Sequence, residues 1–187
     1  MRHVISALVM NEPGVLANVA GMFAARGFNI DSLVVGRTED PNLSRMTIVC
    51  SADDNTLDQV RKQLAKLVPV VSVRDFKGTA YVERDLVLMT VGVTPEHRSE
   101  VIEIVNLFRG KVVDVSPNSV MIELAGTEEK LEAFAELMQP FGIKEMARTG
   151  VIAMSRGHQH AKDDSAPVTA KRTRSLNAPA AASLPPS

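Results

Sequence analysis

The amino-acid sequence predicts an α+β protein made of two units with the same order of strands and helices. Three observations lead to this prediction. Short apolar runs alternate with stretches of helical period, and turn residues separate them at short intervals. The order strand–helix–strand–strand–helix–strand also occurs twice. That order is the split βαβ arrangement of the ferredoxin-like fold, in which both helices lie on one face of an antiparallel sheet.

The first unit is expected over residues 1–77. Its helices each carry one apolar face, a glycine ends the first helix and a proline follows the second. The predicted elements, in order, are strand His3–Met10, helix Gly14–Arg26, strands Ile30–Thr38 and Leu43–Ser51, a helix from the N-cap Asp54 to Leu67, and strand Val70–Phe76.

The second unit is expected over residues 78–157, with helix faces at the same i, i+3, i+4, i+7 spacing. Its first strand is apolar on both faces, so we expect the open face of a sheet to pack on the other unit or on another chain, and we favour dimerisation. The pair Arg84-Asp85 is interpreted as solvated surface. The predicted elements are strand Asp85–Val93, helix Pro95–Phe108, strands Lys111–Val115 and Val120–Leu124, helix Thr127–Met138 and strand Ile143–Met154.

Residues 158–187 have a different composition, rich in Ala, Pro and Ser and without apolar periodicity. Such a segment cannot bury enough apolar surface to fold, so a disordered tail is predicted there.

Composition excludes several classes of function. The formal net charge is -1 and aromatic residues make up 4% of the chain, which argues against nucleic acid as a partner. Apolar runs are too short to cross a bilayer, so no membrane partner is expected either. The single cysteine, Cys50, fits a reducing compartment, and we predict a cytoplasmic protein. Cys50 shares a strand face with Met46 and Ile48, which favours a buried small hydrophobe over a nucleophile.

Patterns that carry catalysis or bind metals are missing. The sequence has no glycine-rich phosphate loop and no metal-ligand spacing, so no catalytic residue, metal ligand or cofactor is assigned to this chain. The same fold supports the acylphosphatases, which need an arginine in the first strand–helix loop. Here that loop is Asn11-Glu12-Pro13-Gly14, where the glutamate repels anions. A small enzyme of acylphosphatase type therefore loses its best support, although it remains an alternative.

The Asn-Glu-Pro-Gly turn is instead suited to binding an amino acid. The first N–H groups of a helix and the positive end of its dipole favour a carboxylate, and glycine allows close approach to the backbone. Each asparagine offers a donor and an acceptor, and nearby apolar residues suit a short branched side chain. The candidate site consists of Asn11, Gly14, Val15, Leu16, Asn29 and Ile30.

Spacing alone leaves a purely structural interpretation of these residues open. Asn11 would then cap the helix, Gly14 would ease the turn, and Asn29 would bond the start of its own strand.

Three separated segments resemble one family. They are NEPGVLANVAGMFAARGFNIDSL, PNLSRMTIV and EMARTGVIAMSRG, and together they closely resemble the regulatory small subunit of acetohydroxyacid synthase (AHAS), also called acetolactate synthase. The resemblance covers about residues 1–157. It implies an N-terminal ACT domain over residues 1–77 and a second, C-terminal ferredoxin-like domain.

The resemblance also implies a binding mode and a partner. Paired ACT domains of a homodimer would bind valine at their interface. Asn11 and Gly14 would come from one chain, and Asn29 and Ile30 from the other. The chain itself would carry out no chemistry. A large catalytic subunit would hold thiamine diphosphate, magnesium and flavin (FAD) and would condense pyruvate in branched-chain amino acid biosynthesis. This chain would activate the large subunit and would make it sensitive to inhibition by valine. The alternative is a free-standing ACT-type amino-acid sensor that acts on another enzyme.

Overall fold

A computed structural model of the chain describes residues 1–157, and the tail predicted for residues 158–187 lies outside the described residues. The described part contains nine strands, four α-helices and one short 3-10 helix. Two antiparallel sheets each carry two α-helices in the order predicted. The predicted α+β class with two ferredoxin-like units is therefore confirmed.

The first unit forms a four-stranded sheet in the order β2-β3-β1-β4, with every neighbouring pair antiparallel. Alternate residues of the central strand, such as Ile5, Ala7 and Val9, face both helices and are buried in one core. The elements are β1 (Arg2–Met10), α1 (Val15–Ala24), β2 (Ser32–Arg37), β3 (Leu43–Ser51), α2 (Asp54–Leu64) and β4 (Val70–Asp75).

The second unit repeats this plan with strand order β6-β7-β5-β8, and a short ninth strand also pairs with β5. Val87, Met89 and Val91 on β5 form its core with residues of both helices. The elements are β5 (Tyr81–Gly92), α3 (Arg98–Leu107), β6 (Lys111–Ser116), β7 (Ser119–Gly126), α4 (Glu128–Met138), the 3-10 helix Gln139–Phe141, β8 (Ile143–Arg148) and β9 (Ile152–Ser155).

The prediction of one continuous strand over Ile143–Met154 is wrong. The chain turns between β8 and β9 at Gly150, whose φ is +86°. β8 pairs with the later part of β5, and β9 pairs with residues 81–84 at its start. β5 begins four residues earlier than predicted and is long enough to pair with both.

Asp85 explains this break, and its interpretation as solvated surface is also wrong. Its side chain is 3% exposed. The carboxylate accepts hydrogen bonds from Arg148 Nε at 2.9 Å, Thr149 Oγ1 at 3.1 Å and Gly150 N at 3.0 Å. A buried carboxylate needs such partners, and here they hold the turn that separates β8 from β9.

The prediction that Asp54 is the N-cap of α2 is wrong, because Asp53 occupies that position. Asp53 has extended dihedrals, and its Oδ1 accepts a hydrogen bond from Thr56 N at 2.7 Å. That backbone N–H lowers the pKa of the Asp53 carboxyl because it favours the charged form. α2 also ends three residues earlier than predicted, at Leu64, and turns carry the chain to Leu67.

β9 crosses the open face of the first sheet, the face without helices. Val151 and Ala153 are buried there against Val4, Val49 and Phe76. The only tyrosine of the chain, Tyr81, packs on the Phe76 ring with centroids 4.9 Å apart. The first unit's open face is thus partly covered by the second unit of the same chain, which is the less favoured of the two possibilities considered for it.

Polar contacts reinforce this junction. Arg2 on β1 makes ion pairs with Glu83 at 3.0 Å and with Glu128 at 2.7 Å. Ser32 Oγ accepts a hydrogen bond from Val151 N at 3.2 Å. The open face of the second sheet is less covered by the described residues, and Leu88 there is 40% exposed.

Cys50 is buried in the first core together with Met46 and Ile48, which confirms its interpretation as a small core residue. Burial raises the pKa of its thiol because the thiolate loses hydration. None of the helices described in residues 1–157 is long and apolar enough to cross a membrane.

Candidate effector site

The turn between β1 and α1 is braced by the neighbouring β2–β3 turn. Asn11 N donates to Asn42 O at 2.7 Å. The Asn11 side chain donates from Nδ2 to Pro41 O at 3.0 Å and accepts from Ser44 Oγ at 3.2 Å. Asn11 is otherwise exposed and does not cap α1, so this part of the structural interpretation does not hold.

Gly14 is the residue that begins α1. As N-cap it has φ +84° and ψ -10°, a left-handed conformation that strongly favours glycine. No atom lies within 4 Å of the position that a Cβ would occupy, so the space beside the backbone is open. Among the described residues no side chain caps α1. Val15 N makes a long hydrogen bond to Glu12 O, at 3.5 Å, and the next N–H groups of the first turn are available to an anion.

The two apolar residues of the turn have different surroundings. Val15 is 5% exposed and belongs to the core under α1, whereas Leu16 is 47% exposed. Leu16 therefore offers the apolar surface beside the turn, while Val15 fixes the position of the helix.

Asn29 and Ile30 lie between α1 and β2. The predicted start of β2 at Ile30 is wrong, because the strand begins at Ser32. Asn29 Nδ2 donates to Asp31 Oδ1 at 2.8 Å, and Asp31 Oδ2 accepts from Ser51 Oγ at 2.8 Å. Asn29 thus bonds the start of its own strand, as the structural interpretation proposed. Ile30 packs partly buried against the first core.

A single chain does not bring the six candidate residues together. Asn11 bonds to Ser44 at one end of β3, whereas Asn29 lies beside Ser51 at the other. β3 has nine residues and rises about 3.3 Å per residue, so its ends are separated by roughly 26 Å. One group contains Asn11, Gly14, Val15 and Leu16, and the other contains Asn29 and Ile30.

Sequence reasoning missed two supporting residues. Ser44 is buried on the helix-facing side of β3, where its neighbours in the alternation are apolar, and it orients Asn11. Asp31 plays the same part for Asn29. Ser44 could have been found from the sequence, because it is a polar residue at a position of β3 where the alternation predicts a buried apolar one. Residues 1–157 contain no group of three or more His, Cys, Asp or Glu side chains arranged to hold a metal.

The first unit has a ferredoxin-like fold, and its helix α1 follows β1 and begins at Gly14 without a side-chain cap. These features are characteristic of the ACT-domain class. Two family models match the chain in agreement with this. "AHAS small subunit-like ACT domain" matches residues 5–72, and "Small subunit of acetolactate synthase" matches residues 84–157.

Known relatives cover most of the chain. A probable acetolactate synthase small subunit from Methanothermobacter thermautotrophicus is 52% identical over 156 residues, which are 83% of this chain and 93% of the relative. The acetolactate synthase small subunit of Mycolicibacterium smegmatis is 50% identical over 155 residues, covering 83% and 92%. The crystal structure of the small subunit from Thermotoga maritima aligns with a TM-score of 0.78 and 43% identity, covering 84% of this chain and 98% of that one. The chain therefore belongs to the acetolactate synthase small-subunit family, whose members are regulatory subunits.

Proposed function

We propose that this chain raises the activity of an AHAS large catalytic subunit and makes that subunit sensitive to feedback inhibition by valine. The observation that carries the proposal is the uncapped start of α1 at Gly14, in a chain of the acetolactate synthase small-subunit family. The catalytic cofactors, thiamine diphosphate, Mg²⁺ and FAD, would all reside on the large subunit, and none on this chain.

A homodimer would complete the site. β2 is an edge strand of the first sheet, so its outer backbone groups can pair with another chain. A two-fold axis beside β2 and α1 makes the two copies run antiparallel across the contact. The turn at Asn11 and Gly14 of one copy then approaches Asn29 and Ile30 of its partner. This arrangement would join the two groups that one chain holds apart.

Valine has the chemistry that these residues can recognise. Its carboxylate would accept hydrogen bonds from the first-turn N–H groups of α1, next to the open space at Gly14. Asparagine carbonyl oxygens can accept from its ammonium group, and Leu16 offers an apolar contact to its isopropyl group. A feedback site needs a dissociation constant of only about 1 mM to 1 μM, which corresponds to roughly -4 to -8 kcal/mol.

Inhibition requires that valine stabilise one arrangement of the assembly over another. A coupling free energy of about 1–3 kcal/mol is typical of such regulation. The contact between β9 and the first sheet, supported by the Arg2 ion pairs, offers a physical link from the ACT domain to the second unit.

Calorimetric titration of L-valine tests the proposed site with a matched pair of variants. Gly14→Asp and Gly14→Asn introduce side chains of nearly equal size, and both tolerate a left-handed backbone better than most residues. Only the aspartate places a negative charge where the carboxylate would bind. We expect Gly14→Asp to abolish valine binding and Gly14→Asn to retain part of it. Equal affinity of both variants and the unmodified chain would place the effector elsewhere.

A second pair of variants separates the role of Asn11 as a ligand from its role in the turn. Asn11→Ala removes the amide, whereas Ser44→Ala removes one internal hydrogen bond and leaves the amide in place. We expect the first variant to weaken valine binding at least about tenfold, which is 1.4 kcal/mol, and the second variant to weaken it less.

A further inference from the structure

Asn29 is held in place by a chain of hydrogen bonds that begins on β3. Its side-chain Nδ2 donates to Asp31 Oδ1 at 2.8 Å, and Asp31 Oδ2 accepts from Ser51 Oγ at 2.8 Å. The backbone N–H of Asp31 also donates to Val49 O at 2.8 Å. Asp31 is therefore fixed to β3 through both its backbone and its side chain, and it holds the amide of Asn29.

The carboxylate of Asp31 fixes the orientation of this amide. An ionised carboxylate can only accept hydrogen bonds, so Asn29 must present its NH₂ group to Asp31. Because the amide is planar, its carbonyl oxygen then points away from Asp31, on an exposed side chain. Within residues 1–157 this Oδ1 accepts no hydrogen bond, whereas the carbonyl oxygen of Asn11 already accepts from Ser44 Oγ at 3.2 Å. Asn29 thus offers an unused acceptor of fixed direction.

Electrostatics favour a cation at this acceptor. A hydrogen bond donated to a carboxylate polarises the amide and strengthens its carbonyl oxygen as an acceptor. Arg2 lines the cleft beside Asp31, but it is engaged in ion pairs with Glu83 at 3.0 Å and Glu128 at 2.7 Å. No ion pair within residues 1–157 therefore compensates the charge of Asp31. Its negative charge, two residues from Asn29, favours an ammonium group over a carboxylate.

We propose that Asp31 is a positioning residue of the effector site and that it selects effectors with an ammonium group. Through Asn29 it presents an acceptor to the ammonium, while the first-turn N–H groups of α1 in the partner chain receive the carboxylate. The two ends of an amino acid are then recognised by different chains, so the amino acid bridges the dimer. This inference rests on the proposed function, because it needs valine as effector and a homodimer that completes the site.

Calorimetric titration of the full chain with two ligands tests this role. L-valine and its hydroxy-acid analogue, L-α-hydroxyisovalerate, share the carboxylate and the isopropyl group, but a hydroxyl replaces the ammonium in the analogue. We expect the unmodified chain to bind L-valine at least about tenfold more tightly than the analogue, because a charge-assisted hydrogen bond is stronger than a neutral one.

Asp31→Asn keeps the size of the side chain and removes its charge. The new amide can donate as well as accept, so the Asn29 amide is free to reverse and to present its NH₂ group to the effector. We expect the affinity of this variant for L-valine to fall about tenfold, and its affinity for the hydroxy acid to change less than about twofold.

Three control variants separate positioning from other effects. Asp58→Asn makes the same substitution on the exposed side of α2, and it should change neither affinity by more than about twofold. Ser51→Ala removes only the hydrogen bond to Asp31 Oδ2, so it should weaken L-valine binding less than Asp31→Asn does. Asp31→Glu keeps the carboxylate and should retain part of the preference for L-valine.

The ratio of the two affinities decides the outcome, once thermal unfolding has shown that each variant is folded. If Asp31→Asn loses affinity for both ligands equally, the proposal is overturned, because a purely structural role would weaken both. If Asp31→Asn keeps its full affinity for L-valine, the proposal is also overturned, and the proposed function stands. If the unmodified chain binds neither ligand, the proposed valine site fails together with this inference.

Discussion

Replacing Gly150 by alanine should loosen the contact between β9 and the first sheet. A Cβ at this position would lie 2.6 Å from Ser32 Oγ and 2.9 Å from Val34 Cγ2. Ser32 cannot rotate away without cost, because its Oγ accepts the hydrogen bond from Val151 N. Val34 is β-branched and has few alternative rotamers. The substitution therefore moves β9 away from the first sheet or leaves Val151 N without its acceptor, Ser32 Oγ.

Gly142 provides a matched control for this prediction. It has the same φ of +86°, but no atom lies within 4 Å of its Cβ position. Both alanine variants incur the cost of a positive φ at an L-residue, about 1–2 kcal/mol. Gly150→Ala adds overpacking of about 1–3 kcal/mol, so its midpoint of thermal unfolding should lie roughly 4–8 °C below that of Gly142→Ala.

Circular dichroism measures the midpoints, and fluorescence reports the contact itself. The chain contains one tyrosine and no tryptophan, and Tyr81 packs on Phe76 at this junction. We expect the emission of folded Gly150→Ala to differ from that of the unmodified chain, and the emission of Gly142→Ala to match it. Equal midpoints for the two variants would refute the contact between β9 and the first sheet.

Three other predictions follow from buried or capping groups. Asp85→Ala should lower the free energy of unfolding by about 2–3 kcal/mol in urea titrations, because it leaves partners such as Arg148 N–H groups unpaired; a change below about 0.5 kcal/mol would contradict its burial. Cys50 should react with a thiol reagent only as fast as the chain opens, and immediate labelling of the folded protein would show that it is exposed. The pKa of Asp53 is lowered from 3.8 by the Thr56 N–H, so its stabilising cap is complete above that pH and is lost as pH falls through the folded pKa. Asp53→Asn should therefore reduce the fall in the free energy of unfolding at acidic pH. An unchanged fall would show that Asp53 does not contribute to it.

Hydrophobic periodicity was sufficient to predict both units, because the helices and the central strands β1, β3, β5 and β7 bury a regular face. It failed at the β8–β9 break, where it predicted one strand over residues 143–154 although the chain turns at Gly150. The cause lies on another strand, in the buried carboxylate of Asp85, and a contact 65 residues away has no local pattern. The burial of Asp85 could not be predicted for the same reason. Its partners are distant in the sequence, and charged residues are usually solvated.

The candidate site was only partly accessible to sequence reasoning. Pro13-Gly14 correctly predicted a turn that starts a helix, because glycine in that position permits the left-handed conformation. The different exposure of Val15 and Leu16 depends on how α1 rotates against the core, which periodicity sets only approximately. The separation of Asn11 from Asn29 depends on the strand register, which tertiary pairing determines.

The most direct test of the account is an acetolactate synthase assay with the purified large subunit, with and without this chain, over a titration of L-valine. We predict that the chain raises the large subunit's activity, that valine lowers the stimulated activity, and that Gly14→Asp stimulates without conferring valine sensitivity. A chain that binds valine and leaves the large subunit's activity unchanged at every valine concentration would contradict the account and would favour an amino-acid sensor for another enzyme.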